Sequence, residues 1–574
     1  MLDRRRFVAC LSSLGISSTL FPNILWASLQ EQQESEAALR ITKEMIREAE
    51  KLAGLEFSEE ERELMLKGVN EHLEYYEKLR TVPLDNSVAP ALQFDPRLPA
   101  MSFDRRAGSF SLQATDAPEA PANLEELAFW PVTQLAQLIQ SRKVSSLELT
   151  EMYLARIKKY DPQLLCVVSL TEDLALRQAR RADEEIASGR YRGPLHGIPW
   201  GAKDLLATRD YKTTWGAIPY KDQIIDADAT VVQRLEEAGA VLVAKLTLGA
   251  LAWGDVWYGG KTRNPWDPKK GSSGSSAGPA AATAAGLVGF SIGSETWGSI
   301  VSPSTACGVT SLRPTFGRVS RFGAMALSWS MDKLGPMGRT VEDCALVFNA
   351  IYGPDGKDST VVDLPFSWPP RRRLEDLRIG YLRSAFEEDP EDQDSDDKER
   401  KELDQAALEK LRSLGFNLIP IEVPDYPVEA LSFILNVEAA AAFDDLTRSN
   451  RDDLLVRQIE NAWPNVFRQS RLIPAVEYIQ ANRIRTLVMQ AMSELMSRVD
   501  VYVAPSFGGD NLLLTNLTGH PCVVLPNGFT SKGLPTSVSF IGNLYAEAET
   551  LALARTYQDA GDFHQRHPPS FAGL

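Results

Sequence analysis

Cysteine and histidine are scarce in this chain, with five of each among 574 residues. The cysteines (Cys10, Cys166, Cys307, Cys344 and Cys522) form no CxxC pair, and the last four sit in apolar surroundings. That pattern excludes a zinc ribbon and a disulfide framework, and it predicts buried thiols. The histidines show no HExxH or similar ligand spacing, so neither a metal nor another cofactor is expected. Positive charge is in deficit: 61 Lys and Arg face 77 Asp and Glu, a net charge of −16. No convincing basic patch interrupts that balance, so no nucleic-acid partner is expected. Beyond the N-terminal segment no uninterrupted apolar run reaches about 18 residues, and no stable membrane insertion is expected.

What is present begins with MLDRRRFVACLSSLGISSTLFPNILWAS. Arg4, Arg5, Arg6 and Phe7 make an RRxF pattern ahead of a moderately apolar run. Residues 1–27 therefore read as an export signal of the twin-arginine kind, placing the protein in the periplasm, with a cytoplasmic location as the alternative. From about Gln30 to Arg80 the pattern is helical. Ser58 and Glu61 make a capping box, and Leu64, Val69, Leu73 and Tyr76 recur at roughly helical spacing as an apolar face. Residues 81–123 hold several prolines and read as an extended, wrapping connection. The acidic run Glu387–Glu402 reads as a solvated insertion or loop.

From Leu124 onward helical and buried-strand patterns alternate. TQLAQLIQSRKVSSLELTEMYLARIKKY reads as two helices, ATVVQRLEEAGAVLVAKL as a helix, a Gly turn and a strand, and the segment after Asp500 as another strand. The fold class expected is α/β, with a mixed or parallel sheet covered by helices.

One stretch stands apart: KKGSSGSSAGPAAATAAG, from Lys269. A flexible linker would not run straight into an ordered-looking alanine-rich segment. A phosphate loop needs a Lys followed by Ser or Thr at its end, where this stretch has Ala277-Gly278-Pro279. Further on, Gly289-Phe-Ser291-Ile-Gly293 fits the GxSxG nucleophile elbow. The alanine-rich lead-in is helical in pattern, and no HGGG-type loop precedes it. His520, His564 and His567 lie downstream and keep this reading open. The remaining option is a serine activated without histidine. A lysine serves as base when burial lowers its pKa, and a second serine carries the proton between them. Lys203 in PLHGIPWGAKDLL, Ser275 in GSSGSSAG and Ser299 in GSETWGSIVSP supply those three groups.

The motifs GIPWGAKD, RNPWDP, the Gly/Ser loop, GSETWGSI, CGVTSLRPTFGRVSRFG, DKLGPMGRT and NLTGHP occur in that order. Together they make residues from about Phe129 to Phe571 resemble the amidase signature family. The resemblance implies an amidase-signature fold, a large mixed β-sheet with helices on both faces, here behind an N-terminal helical extension. It also implies a Ser–cis-Ser–Lys triad. Ser299 would be the nucleophile, Ser275 the bridging serine held by a cis peptide, and Lys203 the base. The backbone NH groups of Thr296, Trp297, Gly298 and Ser299 would form the oxyanion hole. Ser272 and Ser273 would serve loop solvation and capping. The family usually has Gly where Trp297 stands and Arg where Val301 stands. Trp297 is expected at negative φ with its ring towards the acyl side, the alternative being a side chain packed away from the site. The missing Arg removes an ion-pair option for a substrate carboxylate at that point.

A second resemblance covers KLAGLEFSEEERELMLKGVNEHLEYYEKLRTVPLDNSVAP, which is similar to the small C subunit of tRNA-dependent amidotransferases. The organisation expected is a signal at 1–27, a C-subunit-like cap and connection at 28–123, and an amidase domain at 124–574. The leading function is hydrolysis of a small-molecule carboxamide through an acyl-enzyme. The alternatives are the glutaminase (A-subunit-like) component of a tRNA-dependent amidotransferase and a non-catalytic binding protein on an amidase fold.

Overall fold

A computed structural model describes residues 40–82, 85–88, 90–112, 117–387 and 395–572. The RRxF segment and Cys10 lie outside them. The chain divides into two compact units, one ending at Asp85 and one spanning Asn86–Leu574.

In the first unit two helices are described, α1 (Lys43–Ala53) and α2 (Glu59–Leu79). Thr42 caps α1, and Gly54 ends it at φ +66, the left-handed conformation that glycine adopts without steric cost. The capping box at the start of α2 is present: the Ser58 N–H donates to Glu61 Oε2 (2.6 Å), and the Glu61 N–H to Ser58 Oγ (3.2 Å). The inward face of α2 differs from the one expected. Leu64 is 83% exposed, and Arg62 and Leu66 are buried instead, with Val69 and Leu73 half-buried. The side chain of Tyr76 lies outside the described part. The spacing 62, 66, 69, 73 fits one helical stripe, and Arg62 belongs to it because Glu50 neutralises it. The Arg62 Nε and Nη2 groups donate to the two Glu50 carboxylate oxygens at 2.9 and 2.8 Å. A buried charge of this kind persists only with such a partner.

The second unit is built on an eleven-stranded sheet. In chain order the strands are β1 (Val167–Leu170), β2 (Pro199–Lys203), β3 (Val241–Leu246), β4 (Phe290–Glu295), β5 (Thr310–Arg313), β6 (Lys333–Gly338), β7 (Ile379–Leu382), β8 (Leu418–Ile421), β9 (Val501–Pro505), β10 (Cys522–Phe529) and β11 (Pro535–Gly542). In space they run β1-β3-β2-β4-β6-β5-β10-β11-β9-β7-β8. The sheet is mixed. β3, β2 and β4 are mutually parallel, as are β9, β7 and β8, and the strands between pair antiparallel. Over the first half of β3 alternate residues enter different cores, Leu242 on one face and Val241 and Val243 on the other, before a register shift brings Ala244 and Leu246 into the second core as well. That period of two is what a strand buried on both faces by helices requires.

The local readings hold at Val132–Gln140 and Ser146–Leu164 (two helices), at Thr230–Glu237 followed by Val241–Leu246, and at Val501–Pro505. Cys166, Cys307, Cys344 and Cys522 are all buried. The acidic run is not a loop throughout: its described end opens the helix Ser395–Ser413. Among the described residues no helix is long and apolar enough to cross a membrane.

Candidate active site

The serine-rich stretch ends β-structure and begins a helix. Gly274–Ser275 is a cis peptide, and Ser276 is followed at once by the helix Ala277–Ala284. The alanines of that helix are all buried, because small side chains let it lie close against β4. β2 runs parallel to β4 with Ala202 opposite Ile292, which carries Lys203 to the level of Gly293 and Ser294. A Cβ on Gly293 would stand 2.9 Å from Ser276 Oγ, so a glycine is needed there for the serine to approach. β4 then bends through Thr296–Ser299 into the helix Val301–Cys307. The ends of two parallel strands and the starts of two helices thus meet, the usual place for a site in such sheets.

Lys203 is fully buried. Its Nζ lies 2.8 Å from Ser275 Oγ, 2.9 Å from Ser276 Oγ and 2.9 Å from Ser294 Oγ. Ser276 is itself fixed: its hydroxyl donates to the Ser294 carbonyl (3.0 Å) and accepts from the Ser294 N–H (3.1 Å). Burial pushes the Lys203 ammonium well below the usual lysine range, with Asp332 and Glu295 opposing that fall. Two other lysines are buried nearby and face other partners. Lys245 pairs with Asp204 at 3.0 Å, and Lys333 donates to the Met331 carbonyl. Lys203 alone among the three touches the serine cluster.

Ser299 is half-buried at the turn into the helix, and its carbonyl accepts the Ser276 N–H at 3.1 Å. The three sequence-predicted residues are therefore brought into one neighbourhood. Among the described residues, the N–H groups of Trp297, Gly298 and Ser299 donate to no protein acceptor. The next two, of Ile300 and Val301, are taken by Glu295 Oε2 at 2.7 and 2.9 Å. Gly298 adopts φ +82, whereas Trp297 is not among the left-handed residues. The glycine beside Trp297 thus absorbs the turn, and the indole is 43% exposed.

Sequence reasoning missed Ser276, Ser294 and Glu295. Glu295 is buried and anchors the turn, since its other oxygen accepts from Arg313 Nη1 (2.7 Å) and Asn516 Nδ2 (2.8 Å). Burial alone would raise its pKa, but Arg313 and the Val301 N–H lower it from 4.5 to about 2. Because the folded value lies below the ordinary one, the carboxylate stabilises the fold fully above about pH 4.5, and that contribution is lost as pH falls towards 2. Glu295→Gln keeps the shape and strands the Arg313 charge. It is expected to cost about 3–5 kcal/mol, read as a lower denaturant midpoint whose gap from the parent narrows as pH drops from 6 to 3.

Ser291 lies in mid-strand rather than on an elbow. It is buried, and its hydroxyl meets Thr283 Oγ1 at 2.9 Å and the Pro279 carbonyl at 3.0 Å. Ser272 is buried with its hydroxyl on the Ser273 carbonyl (3.1 Å), and Ser273 Oγ lies 2.9 Å from Ser302 Oγ.

A family model described as Amidase matches residues 148–514. The A subunit of glutamyl-tRNA(Gln) amidotransferase from Methylococcus capsulatus is 34% identical over 489 residues, covering 77% of this chain and 99% of that protein. Among solved structures, native peptide amidase from Stenotrophomonas maltophilia superposes with a TM-score of 0.67 at 29% identity, covering 78% of this chain and 99% of that one. The A subunit of glutamyl-tRNA(Gln) amidotransferase from Thermotoga maritima gives 0.63 at 25%, covering 77% and 96%.

Proposed function

The chain belongs to the amidase family, hydrolases of amide carbon–nitrogen bonds, and from that premise we propose that it cleaves a small carboxamide through an acyl-enzyme on Ser299. One observation carries this reading: a buried lysine amine 2.8 Å from Ser275, on a loop tied by Ser276 to the carbonyl of Ser299. Ser299 Oγ attacks the amide carbon while its proton passes to Ser275 and that of Ser275 to neutral Lys203. The tetrahedral oxyanion is met by the N–H groups at Thr296–Ser299, of which three donate to no protein acceptor among the described residues. Each such donor lowers the barrier by about 3 kcal/mol. Collapse breaks the carbon–nitrogen bond, and the proton returns through Ser275 to the departing amine. Water then repeats the path on the ester and frees the carboxylic acid.

Here residues 124–574 are the catalytic domain, and 28–123 a cap and connection of the C-subunit kind fused in cis. Residues 1–27 direct export. The second reading, a glutaminase component of an amidotransferase, is favoured by the 34% identity to an amidotransferase A subunit. An exported enzyme meets no tRNA, however, and Val301 stands where the family pattern leads one to expect arginine. Assays of ammonia or amine release across acetamide, benzamide, anilides, peptide amides and glutamine separate these. Turnover of uncharged amides above glutamine is expected. Preference for glutamine would favour the second reading, and no turnover of any amide would leave only a binding protein.

A further inference from the structure

A cavity of about 300 Å³ opens beside the lysine site, a volume at the lower end of those that hold small ligands. Its inner end includes Leu205, Ser294 and Thr296. Ser294 Oγ touches the Lys203 amine at 2.9 Å, so the cavity begins one side chain from the proposed base. Its sides include Met325, Leu327 and Leu334, all buried. Its outer wall comes from a different part of the chain: Asn86, Ser87, Pro90, Leu92 and Gln93. Those residues precede the 148–514 region that matches the family model.

We propose that this cavity receives the apolar part of an uncharged aryl or alkyl amide, and that residues 86–88 and 90–93 form its specificity-determining wall. The proposal rests on the amide hydrolysis argued above. The wall is fixed at both ends. Asn86 Nδ2 donates to the Ala326 carbonyl at 2.9 Å, and the Ala326 N–H donates back to Asn86 Oδ1 at 2.7 Å. Gln93 donates to Ser359 Oγ. Phe94 packs edge-on against Phe316 at 5.0 Å, and the Arg485 guanidinium lies 3.7 Å from its ring centre.

Apart from the exposed Lys357 ammonium, which among the described residues has only a ring beside it, the charges around the cavity are already engaged. Arg321 pairs with Asp358 at 2.9 Å, and the Lys357 amine lies 4.4 Å from the centre of the Phe322 ring. Asp332 accepts the Thr296 hydroxyl at 2.6 Å and the N–H groups of Leu327 and Ser328 at 2.8 and 3.0 Å. A zwitterionic substrate such as glutamine would bring an ammonium here, where the carboxylates of Asp332 and Asp358 are already taken, and an unpaired charge is costly to bury. The lip has the opposite character. Leu92 is 81% exposed and Phe322 38% exposed. An apolar group reaching outward from the cavity would cover both.

The test uses the full chain. Binding of acetanilide and of acetamide to Ser299→Ala protein is measured by calorimetry, with and without Leu92→Glu. Leu92 is mostly exposed, so this substitution leaves the fold intact, and Phe322→Ala serves as an independent second change. Acetanilide is expected to bind at least tenfold tighter than acetamide, and either change is expected to remove most of that margin. In Ser299-containing enzyme the ratio of kcat/KM for acetanilide over acetamide falls by about the same factor. An unchanged margin in both variants, or no margin in the parent, overturns the proposal. If the binding margin behaves as expected and no amide is turned over, the cavity assignment stands and the hydrolase reading falls. If turnover is present and the margin absent, the reverse holds.

Discussion

Ser299→Ala is expected to lower kcat for amide hydrolysis by a factor on the order of 10⁶, close to the uncatalysed rate apart from what binding and the N–H groups retain. The size of the effect follows from removing the atom proposed to bond to substrate. A fluorophosphonate should label the parent at Ser299, and Ser299→Ala should take no label. Ser291 is the competing serine in the sequence, two residues into a GxSxG match. Its hydroxyl is buried and already shared between Thr283 and the Pro279 carbonyl, so no reagent of that size reaches it. Ser291→Ala should therefore keep label and turnover. A label on Ser291, or a Ser299→Ala protein with near-parental rates, would sink the assignment.

The two serines show what a linear pattern conveys and what it does not. A five-residue match says nothing of whether its serine ends a strand or sits inside one. Here the strand runs from Phe290 to Glu295, and position 291 is interior. The alanine-rich lead-in does signal this, because a helix before the match is incompatible with an elbow. The residues of the proposed triad stand out as candidates because they sit in long ordered motifs. Ser276 and Ser294 are not, since their role depends on Gly293 letting two backbones close up. Glu295 hides for a related reason: its partners Arg313 and Asn516 come from distant sequence and meet only across the sheet. On α2 the apolar pattern points to Leu64, whereas the buried stripe starts two residues earlier, at an arginine that is paired with Glu50. The wall at residues 86–88 and 90–93 has no periodicity to find, because an extended segment is placed by contacts such as those with Ala326 and Phe316 rather than by its own pattern.

Lys203→Arg is expected to lower kcat by about 10⁴ and to abolish the rise of rate with pH. A guanidinium stays charged at every working pH and has no lone pair to accept the Ser275 proton. The parent lysine is different because burial favours its neutral form. A neutral amine has two N–H donors and one lone pair. Three hydroxyls surround it, at Ser275, Ser276 and Ser294. The Ser276 hydroxyl spends its own proton on the Ser294 carbonyl, so towards the lysine it can only accept. With the second N–H on Ser294 Oγ, the lone pair is left facing Ser275, the direction from which the proton must come. The pKa of Lys203 is lowered in the fold, so the active neutral form dominates above that lowered value and the rate should rise with pH to a plateau reached below the usual lysine range. Ser276→Ala removes an acceptor that serves the ammonium more strongly than the amine. It should shift the rising limb to lower pH and reduce kcat about tenfold, whereas a purely structural loss would scale the profile without moving it. A parent profile that falls steadily from pH 6 to 9 in folded enzyme, or a Lys203→Arg protein that keeps the rising limb, would show that another group takes the proton.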